Sequence, residues 1–284
     1  MTPTAEQADY IRRRLEHERW LKAAVDLAAA IEGRGIPVVC LKGPVLAERI
    51  YDDPAERRYA DIDLMVRRAD ADAAGAALGQ IGYAHRLGGL TLGENRRLEY
   101  NTPYVRPGAP MVELHFRLID MPGAALDADA FIQRRQPYAL RSGATAYVLE
   151  PEDEFLYLCA HGAHHHFEDP KWLRDLDLYL ARYGALRWDV VAARAGQFGF
   201  LTAVWVALQT LRDRLGCEIP AALKIRPSWL MRRGWPGVVP EVSAGECSRW
   251  NWGIRDAIYV AALCDRLPSA LYYLSRRAFR VSRR

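Results

Sequence analysis

No run of roughly eighteen or more apolar residues occurs in the chain, so a membrane-spanning helix is not expected. Paired cysteines are also missing. The five that occur, Cys40, Cys159, Cys217, Cys247 and Cys264, are odd in number, scattered and nowhere arranged as CxxC. That excludes a disulfide framework and the usual zinc or redox spacings, and leaves reduced, mostly buried thiols as the expectation. The stretch Met1–Gln7 has no basic segment leading into an apolar one, so secretion is not expected and a cytoplasmic location is. There is no internal repeat, no long low-complexity segment and no recognisable RNA-binding module.

What is present is an ordinary globular mix. The 284 residues are 50% hydrophobic and 26% charged, enough for one large domain or two modest ones with a sizeable core. The net charge of +4 is uneven, because Ser275–Arg284 forms a basic tail. Such a tail either meets nucleic acid, acidic lipid or an acidic partner, or is a solvated end. The tryptophans, including Trp172, Trp188, Trp205, Trp229, Trp235, Trp250 and Trp252, read as core or loop anchors. The last four lie near the basic end, where a membrane-surface or partner contact is the alternative.

Along the chain, residues 4–32 read as an amphipathic helix. Thr4 and Gln7 form a capping box, and Gly33 and Gly35 end the helix. Residues 37–41 look like a buried strand. Lys42-Gly43-Pro44 breaks it, with Pro44 placed for the first turn of a helix that continues through Ile50. Asp52-Asp53-Pro54 is a turn. Residues 61–66 read as a strand and 70–81 as a helix stopped by Gly82. Strands at 101–106 and 111–118, joined by Pro107-Gly108-Ala109-Pro110, predict an antiparallel hairpin. Residues 147–149 add a short strand. From 152 to about 217 the spacing is helical throughout. Residues 225–250 read as loops, and 252–265 and 268–280 as helices. The expected architecture is α/β (α+β): a small mixed sheet with flanking helices in residues 1–150, then a helical domain in 151–284.

Chemistry concentrates at Asp61-x-Asp63. Carboxylates two apart on a strand share a face and repel each other, a cost that a divalent cation removes. Alone, the pattern also fits an ordinary strand edge. Two neighbours favour the metal reading. Lys42-Gly43 sits at a strand-to-helix junction, where a glycine and free backbone N–H groups can cradle phosphate; the alternative is a plain tight connection. Glu113 and His115 share a face of a later strand, and a third carboxylate beside a pair is what a two-metal site requires. Val112, Leu114 and Phe116 fall on the opposite, apolar face, which fixes the register. Arg57 and Arg58 precede the pair, either contacting phosphate or bracing the carboxylates, or as exposed loop residues.

The run Leu41–Val66, LKGPVLAERIYDDPAERRYADIDLMV, resembles the signature of an uncharacterised bacterial group within the DNA polymerase β-type nucleotidyltransferase superfamily. Leu41-Lys42-Gly43 matches its start, Tyr51 to Pro54 its acidic turn, Arg57 its arginine, and Asp61 and Asp63 its metal pair. Val112–Leu118 resembles its third-carboxylate strand, and His161–Leu180 its helical segment with a histidine pair. The likeness spans roughly residues 20–215. It departs from the wider superfamily in having Gly43-Pro44 where Gly-Ser is usual, which shifts the serine's phosphate-holding role to backbone N–H groups, Lys42 or Arg57.

The resemblance implies an enzyme that moves a nucleoside monophosphate from an NTP such as ATP to an acceptor and releases pyrophosphate. Asp61, Asp63 and Glu113 would bind Mg²⁺ (or Mn²⁺), with Glu113 as ligand or base. Lys42, Gly43 and Arg57 would hold the nucleotide phosphates. A small-molecule or peptide acceptor is favoured over nucleic acid. The rival readings are an inactive nucleotide-binding module and a nucleic-acid-binding protein using the basic tail. His161 and His165, with His164 and His166 beside them, are expected to pack and hydrogen-bond against the catalytic sheet; contact with substrate or phosphate is the alternative, and zinc comes last, since neither HExxH nor a nearby cysteine ligand occurs. Lys171, Arg174 and Asp175 form a polar helix face, read either as a wall of the active-site cleft or as solvated surface.

Overall fold

A computed structural model describes residues 4–120, 128–218, 225–229, 231–232 and 254–281. The loops expected at 225–250 lie largely outside these residues, as do Cys247, Trp235, Trp250 and Trp252. The side chains of the basic tail from residue 276 onward are outside them as well. The chain divides into two compact units. One comprises Met1–Leu118 with Asp127–Glu150, the other Ile119–Leu126 with Pro151–Arg284.

The first unit opens with helix α1 (Ala5–Glu32), capped by the expected reciprocal bonds between Thr4 and Gln7. Strands β1 (Val38–Cys40), β2 (Asp61–Val66), β3 (Ala84–His85), β4 (Asn101–Val105) and β5 (Met111–His115) form one mixed sheet in the order β1-β2-β5-β4-β3. Only the β2–β5 pairing is parallel. The expected hairpin is the antiparallel β4–β5 pair. Helix α2 (Gly43–Ile50) follows β1 with Pro44 in its first turn, and α3 (Ala71–Gln80) follows β2. Ile62, Leu64 and Val66 of β2 join Val112, Leu114 and Phe116 in a core shared with Leu27 and Ile31 of α1 and Leu78 of α3. Alternation along both central strands therefore turns their odd-numbered polar residues to the other face.

Several elements were not legible in the sequence. Two-residue β3 and helix α4 (Leu92–Leu98) fall in a polar stretch. Strand β6 (Gln136–Ala139) is largely exposed and carries a proline, and exists by pairing with β7 (Thr145–Val148) in a separate two-stranded sheet.

The second unit is helical: α6 (Pro151–His164), α7 (Pro170–Arg182), α8 (Trp188–Phe198) and α9 (Leu201–Leu215), after a short α5 (Ala128–Gln133) that belongs to the first unit. Helices at Ile254–Leu263 and Leu267–Val281 follow. The histidines in the last turn of α6 and just beyond it find ring partners inside this unit. His161 and His165 lie 4.8 Å apart and both pack on Trp172, while His166 stacks on Tyr259 at 3.9 Å. Within the same motif, Gly162 makes room for Phe167. A Cβ on Gly162 would stand 2.6 and 2.8 Å from two of that ring's carbons, and the ring is fully buried. Asp175 of α7 is buried and Arg174 exposed, so these two do not share one solvated face.

Gly162→Ala should therefore lower stability by roughly 1–2 kcal/mol, overpacking outweighing the better helix former. Gly79→Ala, on an exposed part of α3 with open space around it, should raise stability by about 0.5–1 kcal/mol. Urea midpoints of the two variants, moving in opposite directions, check the assignment.

Candidate active site

Parallel register sets this site. Asp63 of β2 is level with Glu113 of β5, and Met65 with His115. Residues level with one another on adjacent strands point to the same side of the sheet, so Asp63 and Glu113 converge away from the apolar core. Ligand atoms of Asp63, Glu113 and His115 all lie within 4.8 Å of one another. Asp61, the other expected ligand, is outside that triplet but near enough for the charges of Asp63, Lys42 and Glu113 to act on it. Among the described residues, this triplet is the arrangement of three or more His, Cys, Asp or Glu side chains suited to a metal; the histidines around the end of α6 do not form one.

Two further strands complete the surroundings. The Leu41 N–H donates to the Asp63 carbonyl at 3.0 Å, carrying the β1–β2 ladder up to the Lys42-Gly43 break. Gly43 has φ +66, a left-handed conformation that side chains disfavour, and a Cβ there would come within 3.3 Å of the Asp61 carbonyl. Lys42 ends up against Asp63, its Nζ 3.2 Å from Oδ1. Arg57 is buried, and its Nη1 donates to the Gly43 carbonyl at 3.4 Å, a long contact. From β4, the Asn101 amide donates to Glu113 Oε2 at 2.6 Å. His115 Nε2 lies 3.0 Å from Asp63 Oδ1 and 3.5 Å from Glu113 Oε2, with its ring edge-on to Tyr100.

Electrostatics decides what the cluster can hold. Burial alone would push the Asp63 carboxyl up, but Lys42 and the His115 hydrogen bond outweigh it and hold the group below the usual carboxylate range. His115 is the mirror case: burial favours its neutral form, and the bonds to Asp63 and Glu113 raise it nonetheless. Asp61 is pushed up to about 6, by burial first and then by the charge on Asp63. Three carboxylates thus face one ammonium and one imidazole, and the cluster keeps an excess of negative charge. Asp63 Oδ2 is buried without a hydrogen-bond partner. A buried acceptor in that position is costly unless a cation satisfies it. Carboxylate oxygens are the ligands Mg²⁺ and Mn²⁺ prefer, so the residues present fit such an ion.

Of the residues expected from sequence, the structure brings Asp63, Glu113 and Lys42 together, with Asp61 within electrostatic reach but outside the ligand triplet and Gly43 and Arg57 at the edge. Sequence reasoning placed His115 on the Glu113 face without foreseeing its bond to Asp63. It missed Asn101 altogether. The signal for Asn101 lay in the hairpin count, which pairs it with His115.

A carboxylate pair on one strand, a third carboxylate on its parallel neighbour and a glycine turn into a helix are features of a phosphate-handling transferase. The chain belongs to the uncharacterised nucleotidyltransferase family, which matches residues 7–216 and so includes every residue of this site. No curated protein matches the sequence. Two solved structures are similar at low identity. The antibiotic-resistance factor ANT(2'')-Ia is 16% identical, covering 68% of this chain and 98% of its own, with a TM-score of 0.42. An antigenic nucleotidyltransferase-like protein from Paracoccidioides brasiliensis is 17% identical, covering 74% and 94%, with a TM-score of 0.44.

The raised Asp61 makes a testable pH signature in metal-free protein. A carboxyl whose folded value exceeds its ordinary 3.8 contributes stability that is complete below 3.8 and is lost as pH rises through about 6. Asp61→Asn removes that loss. Relative to the parent, the variant should gain on the order of 2–3 kcal/mol between pH 3.5 and 7, read from denaturant titrations at each pH. A difference that does not change with pH would mean that Asp61 ionises normally.

Proposed function

We propose that the first unit transfers a nucleoside monophosphate from an NTP to an acceptor hydroxyl or amine, in the presence of Mg²⁺ or Mn²⁺, with release of pyrophosphate. The observation that carries this reading is the parallel register that sets Glu113 level with Asp63, beside an excess of negative charge and a buried orphan oxygen. Family membership supports the reaction class.

Asp61 and Asp63 would hold the ion or ions, with Glu113 as a third ligand or as the base. Such an ion would neutralise the phosphates and lower the pKa of the attacking group. Glu113 is the best placed to take the acceptor's proton. It is the least buried member of the triplet, and Asn101 fixes one of its oxygens. The acceptor oxygen or nitrogen bonds to the α-phosphorus, the bond from that phosphorus to the β-phosphate's bridging oxygen breaks, and pyrophosphate leaves with that electron pair. His115 orients Asp63 and holds it ionised. Lys42 and the Gly43 backbone would meet the phosphates, with Arg57 bracing the turn. A small molecule or a protein side chain is the favoured acceptor. No helix among the described residues is long and apolar enough to cross a membrane.

The direct test is incubation with each labelled NTP, Mg²⁺ and a cell extract, followed by identification of the labelled product. Glu113→Gln keeps the Asn101 contact and should cut turnover by roughly 10²–10⁴-fold while NTP binding survives. Pyrophosphate release near the parental rate would remove Glu113 from the chemistry.

Lys42→Ala separates two roles for the lysine. If it meets phosphate in both ground and transition states, KM for the NTP should rise about tenfold or more with a smaller change in kcat. A collapse of kcat at unchanged KM would show that Lys42 acts only through Asp63.

A further inference from the structure

The helix Leu267–Val281 lies against Ile254–Leu263 and packs on one side only. Ala270 and Tyr273, three residues apart, form its buried face. Leu267, Leu271 and Leu274 recur at helical spacing on another face and are 65%, 58% and 36% exposed. Tyr272 flanks them and is exposed, as is Ile258 of the neighbouring helix. A lone exposed leucine is ordinary, but three in line along one face make a patch that calls for a partner.

The face is presented on an anchored element. Tyr259 of Ile254–Leu263 donates its hydroxyl to the Ala163 carbonyl at 2.9 Å, and its ring stacks on His166. At the corner between the two helices, Asp265 accepts from the N–H groups of Leu201 and Thr202, each at 2.8 Å, and from the Thr202 hydroxyl at 2.6 Å. That carboxylate is committed to the first turn of α9. From Arg266 onward the sequence has six arginines (Arg266, Arg276, Arg277, Arg280, Arg283 and Arg284) and no Asp or Glu.

These features discriminate between occupants. A second copy of the chain would bring six more arginines to the same surface, and like charges repel. Nucleic acid would meet the arginines and leave the leucines in water. A protein groove would have to enclose the helix, yet its Ala270–Tyr273 face is already taken. A flat surface that is apolar beneath and anionic above suits both the free face and the charge. Fifteen residues are too few to span a bilayer, where about twenty are needed, but a helix lying in the interface has no such requirement. We propose that this helix docks the protein on an anionic phospholipid surface. Leu267, Leu271 and Leu274 enter the boundary between headgroups and acyl chains, and the arginine-rich sequence meets the headgroup charge. The proposal does not rest on the transfer reaction.

The test is flotation of the full chain, without nucleotide or metal, on vesicles of pure phosphatidylcholine and of phosphatidylcholine mixed with phosphatidylglycerol. The protein should float with the anionic vesicles and not with the neutral ones, and added salt should weaken binding. Leu271→Ser/Leu274→Ser, at exposed positions, should lower affinity for the anionic vesicles by roughly tenfold or more while leaving the thermal melt unchanged. Arg276→Gln/Arg277→Gln/Arg280→Gln should lower it to a similar degree. No flotation with anionic vesicles, or equal flotation with neutral ones, would overturn the proposal. So would parental binding by the leucine variant beside loss in the arginine variant, which marks charge alone, as nucleic acid would use it. A dimer in sedimentation velocity that the leucine variant breaks, with no vesicle binding, would assign the face to a second copy instead. Because vesicle binding is read without substrate, failure of the transfer assay would refute the proposed activity and leave this surface standing.

Discussion

Asp63 bears its charge where water does not reach, and most of the site's geometry answers to that. An ionised carboxylate in such a place costs several kcal/mol unless partners surround it. Lys42 comes from the end of β1, His115 from β5, and both reach the same oxygen. The other oxygen is left without a partner. Two elements far apart in sequence are thereby drawn to one atom, and the site keeps an opening for one more positive charge. Binding a divalent ion would complete a cluster that the protein alone satisfies only in part.

The sheet makes this affordable. Ile62, Leu64, Val112 and Leu114 alternate with the acidic residues and are buried in a common core. A slip of one residue would bring carboxylates into that core and apolar groups into the site, so packing holds the register more strongly than any polar contact could. The lone parallel pairing matters for the same reason. It sets residues on β2 level with residues on β5 and brings the third carboxylate beside the pair, while the antiparallel β4 supplies Asn101 from the far side. The Gly43 turn is then placed by β1, whose ladder to β2 runs up to Leu41 before the chain turns into α2.

The same segment carries two kinds of charge. Arg57 and Arg58 precede Asp61 and Asp63 within one short stretch. The carboxylates enter the sheet, and the arginines stay on the loop facing α1. Arg57 donates from that loop to the Gly43 carbonyl, so the segment that carries the carboxylates also steadies the turn beside them.

Much of this was readable from the chain alone. The capping box at Thr4, the proline of α2, the helix after β2 and the hairpin around Pro107-Gly108 follow from local rules that need no knowledge of the fold. Alternation in 61–66 and 111–118 likewise identified the face bearing Asp61, Asp63, Glu113 and His115, because strand periodicity depends only on the backbone. The rest required tertiary structure. Lys42 was legible as part of a strand-to-helix turn, but its bond to Asp63 depends on where β1 docks. Asn101 is an unremarkable polar residue until the hairpin register brings it to Glu113. Sequence determines which residues share a face, since that is a property of local geometry. Which faces meet is decided by long-range packing of the apolar sides, which therefore selected the atoms that surround Asp63.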